Sequence, residues 1–273
     1  MAETKNRAAR NRTVTVSDSE IPVLEQQIRG VETIRAGFHD DMIVNADLFD
    51  CLDFIPDGYF DLIIIDPPYN LDKDFHGRKF AVMKTDAYEE FLRSWFYRVC
   101  DKLKPDGSLY MCGDWKCTSS MQRVIEERLT VVNRISWQRE KGRGAKANWK
   151  NSMEDIWFAV KNPRDYYFDV DSVKMKRKVI APYREDGRPK DWEETENGNF
   201  RITCPSNFWD DISVRSGQCL KTLIILHKSL KSCMPNWCLP HHVPATEYLT
   251  LFWAAAHRPS SHENLAEDFL EWK

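Results

Sequence analysis

Tyr59 to Ile65 is a run of aromatic and branched apolar residues, and it ends in Asp66-Pro67-Pro68-Tyr69-Asn70. The run lacks polar alternation, so it predicts a strand covered on both faces. Strands of that kind belong to parallel sheets flanked by helices, which draws the whole chain towards an α/β fold. The prolines then stop the strand: each fixes φ, removes an N–H and pushes the residue before it out of helical conformations. The strand thus gives way to a stiff turn, rich in carbonyls and poor in donors. It sits at the sheet edge where ligands bind in open α/β folds.

The flanking segments fit that architecture. Met42–Asp47 predicts a strand, LFDCLDFI a short helical stretch, and Pro56-Asp57-Gly58 a turn. After a charged loop over 71–85 a helix starts near Asp86, with Asp86 and Glu89 read as an N-terminal capping pair. Phe91, Leu92, Trp95, Phe96, Val99 and Leu103 recur at helical spacing and form one apolar face. Lys104-Pro105-Asp106-Gly107 is expected to end it. Ser108–Cys112 predicts a strand, Lys116–Arg128 a helix, and Val131–Trp137 and Ile156–Val160 two more strands. That alternation is the pattern of a doubly wound sheet.

The chain has 273 residues, enough for one large α/β domain or two smaller ones. We expect a polar arm over 1–40, a core over 41–161, a charged and irregular insert over 162–214, and a distinct tail over 215–273. Hydrophobic content of 42% and charged content of 30% are those of an ordinary globular protein. The net charge of -3 leaves nucleic-acid binding open, because the electrostatic footprint is a local patch. No apolar run approaches a bilayer span, and MAETKNRAARNR lacks the apolar core of a signal peptide. The expectation is a cytoplasmic protein without a membrane partner. Its eight cysteines then read as free thiols. Cys233, Cys238, His241 and His242 match no zinc spacing, so no metal is expected.

The chemistry concentrates at Asp66-Pro67-Pro68-Tyr69. A ligand suited to this turn brings N–H donors and a planar ring. An exocyclic amine on a nucleobase has both. Asp66 and the Pro67 carbonyl can accept its two hydrogens, and Tyr69 can stack on the ring. A base inside a duplex cannot reach such a pocket, so it has to be flipped out, and stacking offsets part of that cost. The plainer reading is a strand terminator with Asp66 capping a turn.

With these flanks the chain resembles the amino-methylating DNA methyltransferases of bacterial modification systems, from about Met42 to Val214. The resemblance implies a Rossmann-like sheet that binds S-adenosylmethionine. It implies methyl transfer to the N6 amine of a flipped adenine in double-stranded DNA, with a cognate restriction endonuclease as partner. DPPY looks like the family's catalytic motif, and its Asp form is usual for N6-adenine enzymes; N4-cytosine methylation is the alternative. Asp66, Pro67, Pro68 and Tyr69 become the catalytic segment, and Asp47 and Asp66 the acids at the cofactor. Ile135–Lys161 resembles the loop and strand that close over the flipped base, and the motif order resembles the β group. Residues 162–208 would be the target-recognition region. Arg139, Lys141, Arg143 and Lys146, with Lys174, Lys176, Arg177 and Lys178, are the candidate phosphate contacts. A related class that methylates glutamine amides usually carries Asn in place of Asp66.

The resemblance stops after Val214. The β group should continue with a histidine-proline-threonine-glutamine-lysine-proline segment. A strand ending in Asp-Pro-Phe and a Gly-rich turn for the cofactor should come next. Here Gly217 is the last glycine in the chain. Read one nucleotide earlier, with suitable synonymous codons, residues 215–232, 247–257 and 262–272 give those segments in the right order. The expectation is a one-nucleotide deletion, or a sequencing error, just after the Val214 codon, with an incomplete sheet and weak or no cofactor binding; a divergent tail that folds differently and still completes a pocket is the alternative. A DNA-binding remnant without catalysis is the corresponding alternative function.

Overall fold

The computed structural model describes residues 19, 21–39, 42–75, 78–138, 146–180 and 183–210. For 73–75, 78–80, 225–227 and 248–252 it describes the backbone alone. A nine-stranded sheet organises the chain. Its strands are β1 (Ile28–Arg29), β2 (Met42–Val44), β3 (Phe60–Asp66), β4 (Leu103–Gly113), β5 (Thr130–Gln138), β6 (Met153–Val160), β7 (Phe208–Trp209), β8 (Ile225–His227) and β9 (Tyr248–Phe252). The spatial order is β1-β2-β8-β9-β3-β4-β6-β5-β7.

β3 is the strand expected from Tyr59–Ile65, and both of its faces are covered. Ile63 and Ile65 join Leu109 and Met111 of β4 in the larger core cluster. That cluster also holds Leu92, Trp95, Phe96 and Val99 of helix α2 (Thr85–Lys102) and Met121, Val124 and Ile125 of helix α3 (Thr118–Glu126). Leu62 and Ile64 face the other way, with Tyr110, Ile135, Trp137, Ile156 and Phe158. The opening segment of the insert lies against this second face. Tyr166 and Phe168 each come within 5.9 Å of the Phe158 ring, centroid to centroid.

Three local expectations change. Lys104-Pro105-Asp106-Gly107 does not separate helix from strand, because β4 runs through it from Leu103. Lys104 donates to Asp61 at 2.9 Å across the strand pair, and the register shifts between Phe60 and Leu62 to take up the irregularity. Asp86 and Glu89 do not form a capping pair. The N-cap is Lys84, without a side-chain cap, and Glu89 turns to Arg123 of α3 at 2.8 Å. The insert is not irregular throughout: Glu193–Thr195, Gly198–Thr203 and Met175–Lys178 form a three-stranded antiparallel sheet. Its side chains do not alternate. Contacts such as Lys176 over the Phe200 ring at 5.1 Å, and buried Trp192 donating to the Tyr183 carbonyl at 2.7 Å, hold it together.

The tail contributes two strands. β9 lies parallel to β3, from Tyr248 opposite Leu62 to Phe252 opposite Asp66. β8 runs antiparallel to both β9 and β2, so it breaks the parallel order on that side. The sheet remains open.

Candidate active site

Strand directions bring several ends to one edge. β2, β3, β4 and β5 all run the same way, so Asp47, Asp66, Asp114 and the residues after Gln138 lie at their carboxyl ends. β6 runs against them and begins at this edge with Met153. Gln138 and Met153, which flank the basic loop, therefore lie at this same edge, on strands separated from β3 by β4. Arg139, Lys141 and Arg143 in it lie outside the described residues; Lys146 is described and exposed.

Asp47 is half-buried and caps helix α1 (Leu48–Cys51), accepting the Phe49 N–H at 2.9 Å. Asp66 is half-buried at the last residue of β3, and Pro67 and Pro68 are buried. Tyr69 is half-buried and packs against the larger core cluster. Burial pushes its phenol well above the ordinary tyrosine value, followed by the Asp66 charge, the neighbouring Cys112 and a hydrogen bond to the Asp66 side chain. Asp66 and Tyr69 thus touch each other across the prolines.

The turn is fastened by residues the sequence reading passed over. Asn70 makes a two-point clamp on Met83, just before α2: its Nδ2 donates to the Met83 carbonyl at 2.9 Å, and its Oδ1 accepts the Met83 N–H at 2.7 Å. Tyr88, in the first turns of α2, donates its hydroxyl to the Pro68 carbonyl at 2.9 Å. Cys117, at the N-cap of α3, lies beneath the same turn. Burial pushes its thiol up, against hydrogen bonds with the Asn70 and Asp114 backbone and the Tyr88 side chain. Its Sγ also donates to the Asp114 carbonyl at 3.2 Å. In the sequence Asn70 stands out only as the residue that follows Tyr69, and Tyr88 and Cys117 carry no motif.

Near the start of β6, buried Asp155 accepts from Arg134 of β5 at 2.8 and 3.0 Å in a two-point ion pair. The second basic group belongs to the small three-stranded sheet and its approach. There Lys176, Arg177 and Lys178 are exposed, and Lys174 pairs with Asp171 at 2.6 Å. No group of metal-ligating side chains occurs among the described residues. Five cysteines are described, and all are free. No described helix is long and apolar enough to cross a membrane.

A sequence model of the DNA methylase family, in its N6/N4 class, matches residues 60–254. The chain belongs to that family. The match takes in the ends of β3, β4 and β5 and the start of β6, leaves Asp47 outside, and continues through β9. Among curated relatives, the type II methyltransferase M.HpaI of Haemophilus parainfluenzae is 27% identical over 173 residues, which is 63% of this chain and 50% of the relative. The DNA adenine methyltransferase YhdJ of Escherichia coli (strain K12) is 27% identical over 192 residues, 68% of this chain and 62% of the relative. The chain thus spans between half and two thirds of the length of these relatives. Among solved structures, the cytosine-N4-specific PvuII DNA methyltransferase aligns with a TM-score of 0.41 at 17% identity, covering 50% of this chain and 54% of that one.

Proposed function

We propose that this DNA methylase chain carries the base-binding half of an S-adenosylmethionine-dependent enzyme that methylates the N6 amine of adenine in double-stranded DNA. The observation that carries this reading is the anchored Asp66-Pro67-Pro68-Tyr69 turn at the carboxyl end of β3. A flipped adenine would place its amine between the Asp66 carboxylate and the Pro67 carbonyl. That holds the nitrogen lone pair outward and fixes the geometry, which is the main catalytic contribution available here. The Tyr69 hydroxyl has to release Asp66 for the amine to be received. The cofactor would supply an electrophilic methyl group to the amine nitrogen, and Asp66 or water would take the proton that the nitrogen loses. Lys146 and the basic loop around it would meet phosphates next to the pocket, and Lys174, Lys176, Arg177 and Lys178 a second stretch of backbone. A restriction endonuclease of the same specificity would be the partner.

A second reading, a DNA-binding remnant without transfer, is favoured by one observation. β9 ends at Phe252 beside Asp66, and Trp253-Ala254-Ala255-Ala256 come after it, with no glycine. A Gly-rich turn there would present N–H groups to the cofactor. The described residues offer Asp47 and Asp66 but no such turn, so they fit only part of the cofactor. The out-of-frame reading assigns the missing strand and turn to residues 247–257, and the segment that pairs with β3 lies inside that range. The nucleotide sequence around the Val214 codon tests it: a tail with no family-like second frame refutes the deletion.

Labelled methyl transfer to unmethylated DNA, followed by digestion to nucleosides, tests the function. It is run on the chain as written and on a frame-restored chain. N6-methyladenine from the restored chain, lost in its Asp66→Ala variant, is the expected result. N4-methylcytosine overturns the adenine assignment, and no product from either chain overturns enzymatic function.

A further inference from the structure

Two prolyl carbonyls adjoin in the turn, and an amine needs one of them. Tyr88 decides which. Its side chain is fully buried, its ring stacks on Phe91 with centroids 6.0 Å apart, and its hydroxyl reaches the Pro68 carbonyl at 2.9 Å. Pro67 and Pro68 have no N–H, so main-chain donors within the dipeptide cannot fix these carbonyls. The proline rings set φ at both residues. ψ at Pro68 is left to whatever holds its carbonyl, and the donor seen there is Tyr88. Asn70 pins the far side of Tyr69 to Met83.

We infer that Tyr88 is a positioning residue for the amine site: it takes the Pro68 carbonyl into the core and leaves the Pro67 carbonyl, with Asp66, to receive the amine. The inference rests on the amine-site reading of the turn. Tyr88 touches no substrate, and it acts through the direction of one peptide plane. Its hydroxyl is held as a donor, since burial pushes its ionisation far above the ordinary tyrosine range. The adjacent Cys117 thiol lets the hydroxyl keep a polar neighbour on its other side.

The test measures amine recognition directly and does not require turnover. Adenosine and purine riboside differ only by the exocyclic amine. Their dissociation constants are measured by ligand-observed NMR on the full chain, with excess S-adenosylhomocysteine to occupy any adenosyl subsite. Wild-type protein is expected to prefer adenosine roughly threefold to tenfold, the worth of one or two net hydrogen bonds. Tyr88→Phe keeps the ring and loses the hydroxyl. Its preference is expected to fall about threefold, the share of one acceptor, with purine riboside binding unchanged. Tyr97→Phe is the control, because it removes a hydroxyl from the same helix that bonds Glu127 on the surface. It keeps the wild-type ratio. If Tyr88→Phe also keeps that ratio, the inference falls and the amine-site reading stands. If both ligands weaken together, Tyr88 is a packing residue and the inference falls. If wild-type protein shows no preference, the amine-site reading fails and takes the role of Tyr88 with it.

Discussion

Asn70→Ala and Asn70→Asp separate the clamp on Met83 into its donor and its acceptor. The alanine variant loses two hydrogen bonds, of 2.9 and 2.7 Å. Each is worth about 0.5–1.5 kcal/mol net. Met83 is half-buried, so water can reach part of the vacated backbone. A total near 1–2 kcal/mol is expected. The aspartate variant keeps the acceptor for the Met83 N–H and turns the donor into a second oxygen facing the Met83 carbonyl. As a carboxylate it meets that carbonyl with like charge; as the acid it can donate again. Folding therefore raises the pKa of the introduced group above its unfolded value of about 3.9. Hence the deficit of Asn70→Asp is smallest below about pH 4, grows as pH rises through the folded-state pKa, and levels off above it. Urea unfolding from pH 3.5 to pH 7, each point compared with wild type at the same pH, reads this out. A deficit that is flat, or larger in acid, refutes the clamp as described.

The Arg134–Asp155 pair is lopsided, with the arginine side chain 50% exposed and the aspartate 4%. Arg134→Ala strands a buried charge and should cost about 3 kcal/mol, while Asp155→Asn leaves a solvated arginine and should cost about 1 kcal/mol; equal losses in urea melts would contradict the burial asymmetry. Glu89 is held below the ordinary glutamate value chiefly by its hydrogen bond to Arg123. Its stabilisation is therefore present above that ordinary value, 4.5, and is lost as pH falls below it. The stability gap between wild type and Glu89→Gln should then shrink from pH 6 to pH 3, and a constant gap counts against the ion pair. At Gly113 a Cβ would lie 2.4 Å from Sδ of the fully buried Met121. Gly113→Ala is expected to lower stability by about 1–3 kcal/mol, and a thermal melt unchanged from wild type would mean α3 can retreat freely.

The parts that were readable from the chain are those whose cause is local. β3 was readable because seven residues without polar alternation demand cover on both faces, and the two clusters either side of it supply that cover. The apolar face of α2 was readable for the same reason. The parts that were not readable have distant causes. Glu89 looked like a capping residue until Arg123, 34 residues away, reached it. Lys104-Pro105-Asp106-Gly107 is turn chemistry by composition, but Asp61 on the neighbouring strand holds Lys104, and a register shift absorbs the rest. The strand Met175–Lys178 has no alternation at all, and its partners lie between Gly198 and Thr203.

The site divides along the same line. The groups proposed to receive the amine stand together in the chain because one strand end carries them. The groups that fix their direction do not: Tyr88 and Cys117 arrive from the starts of two helices that pack on the same face of the sheet. A motif can therefore survive in sequence while its geometry depends on residues that no motif marks. The tail makes the converse point. Tyr248–Phe252 pairs with β3 because a short apolar, β-prone segment satisfies an open sheet edge whatever its origin. A Gly-rich turn has no such substitute, since it needs backbone N–H groups brought close to a ligand. Filling the strand position restores the sheet locally, and the described residues bring no such turn with it. On the proposed function, methyl transfer would therefore hinge on the residues after Phe252 rather than on the pairing of β9.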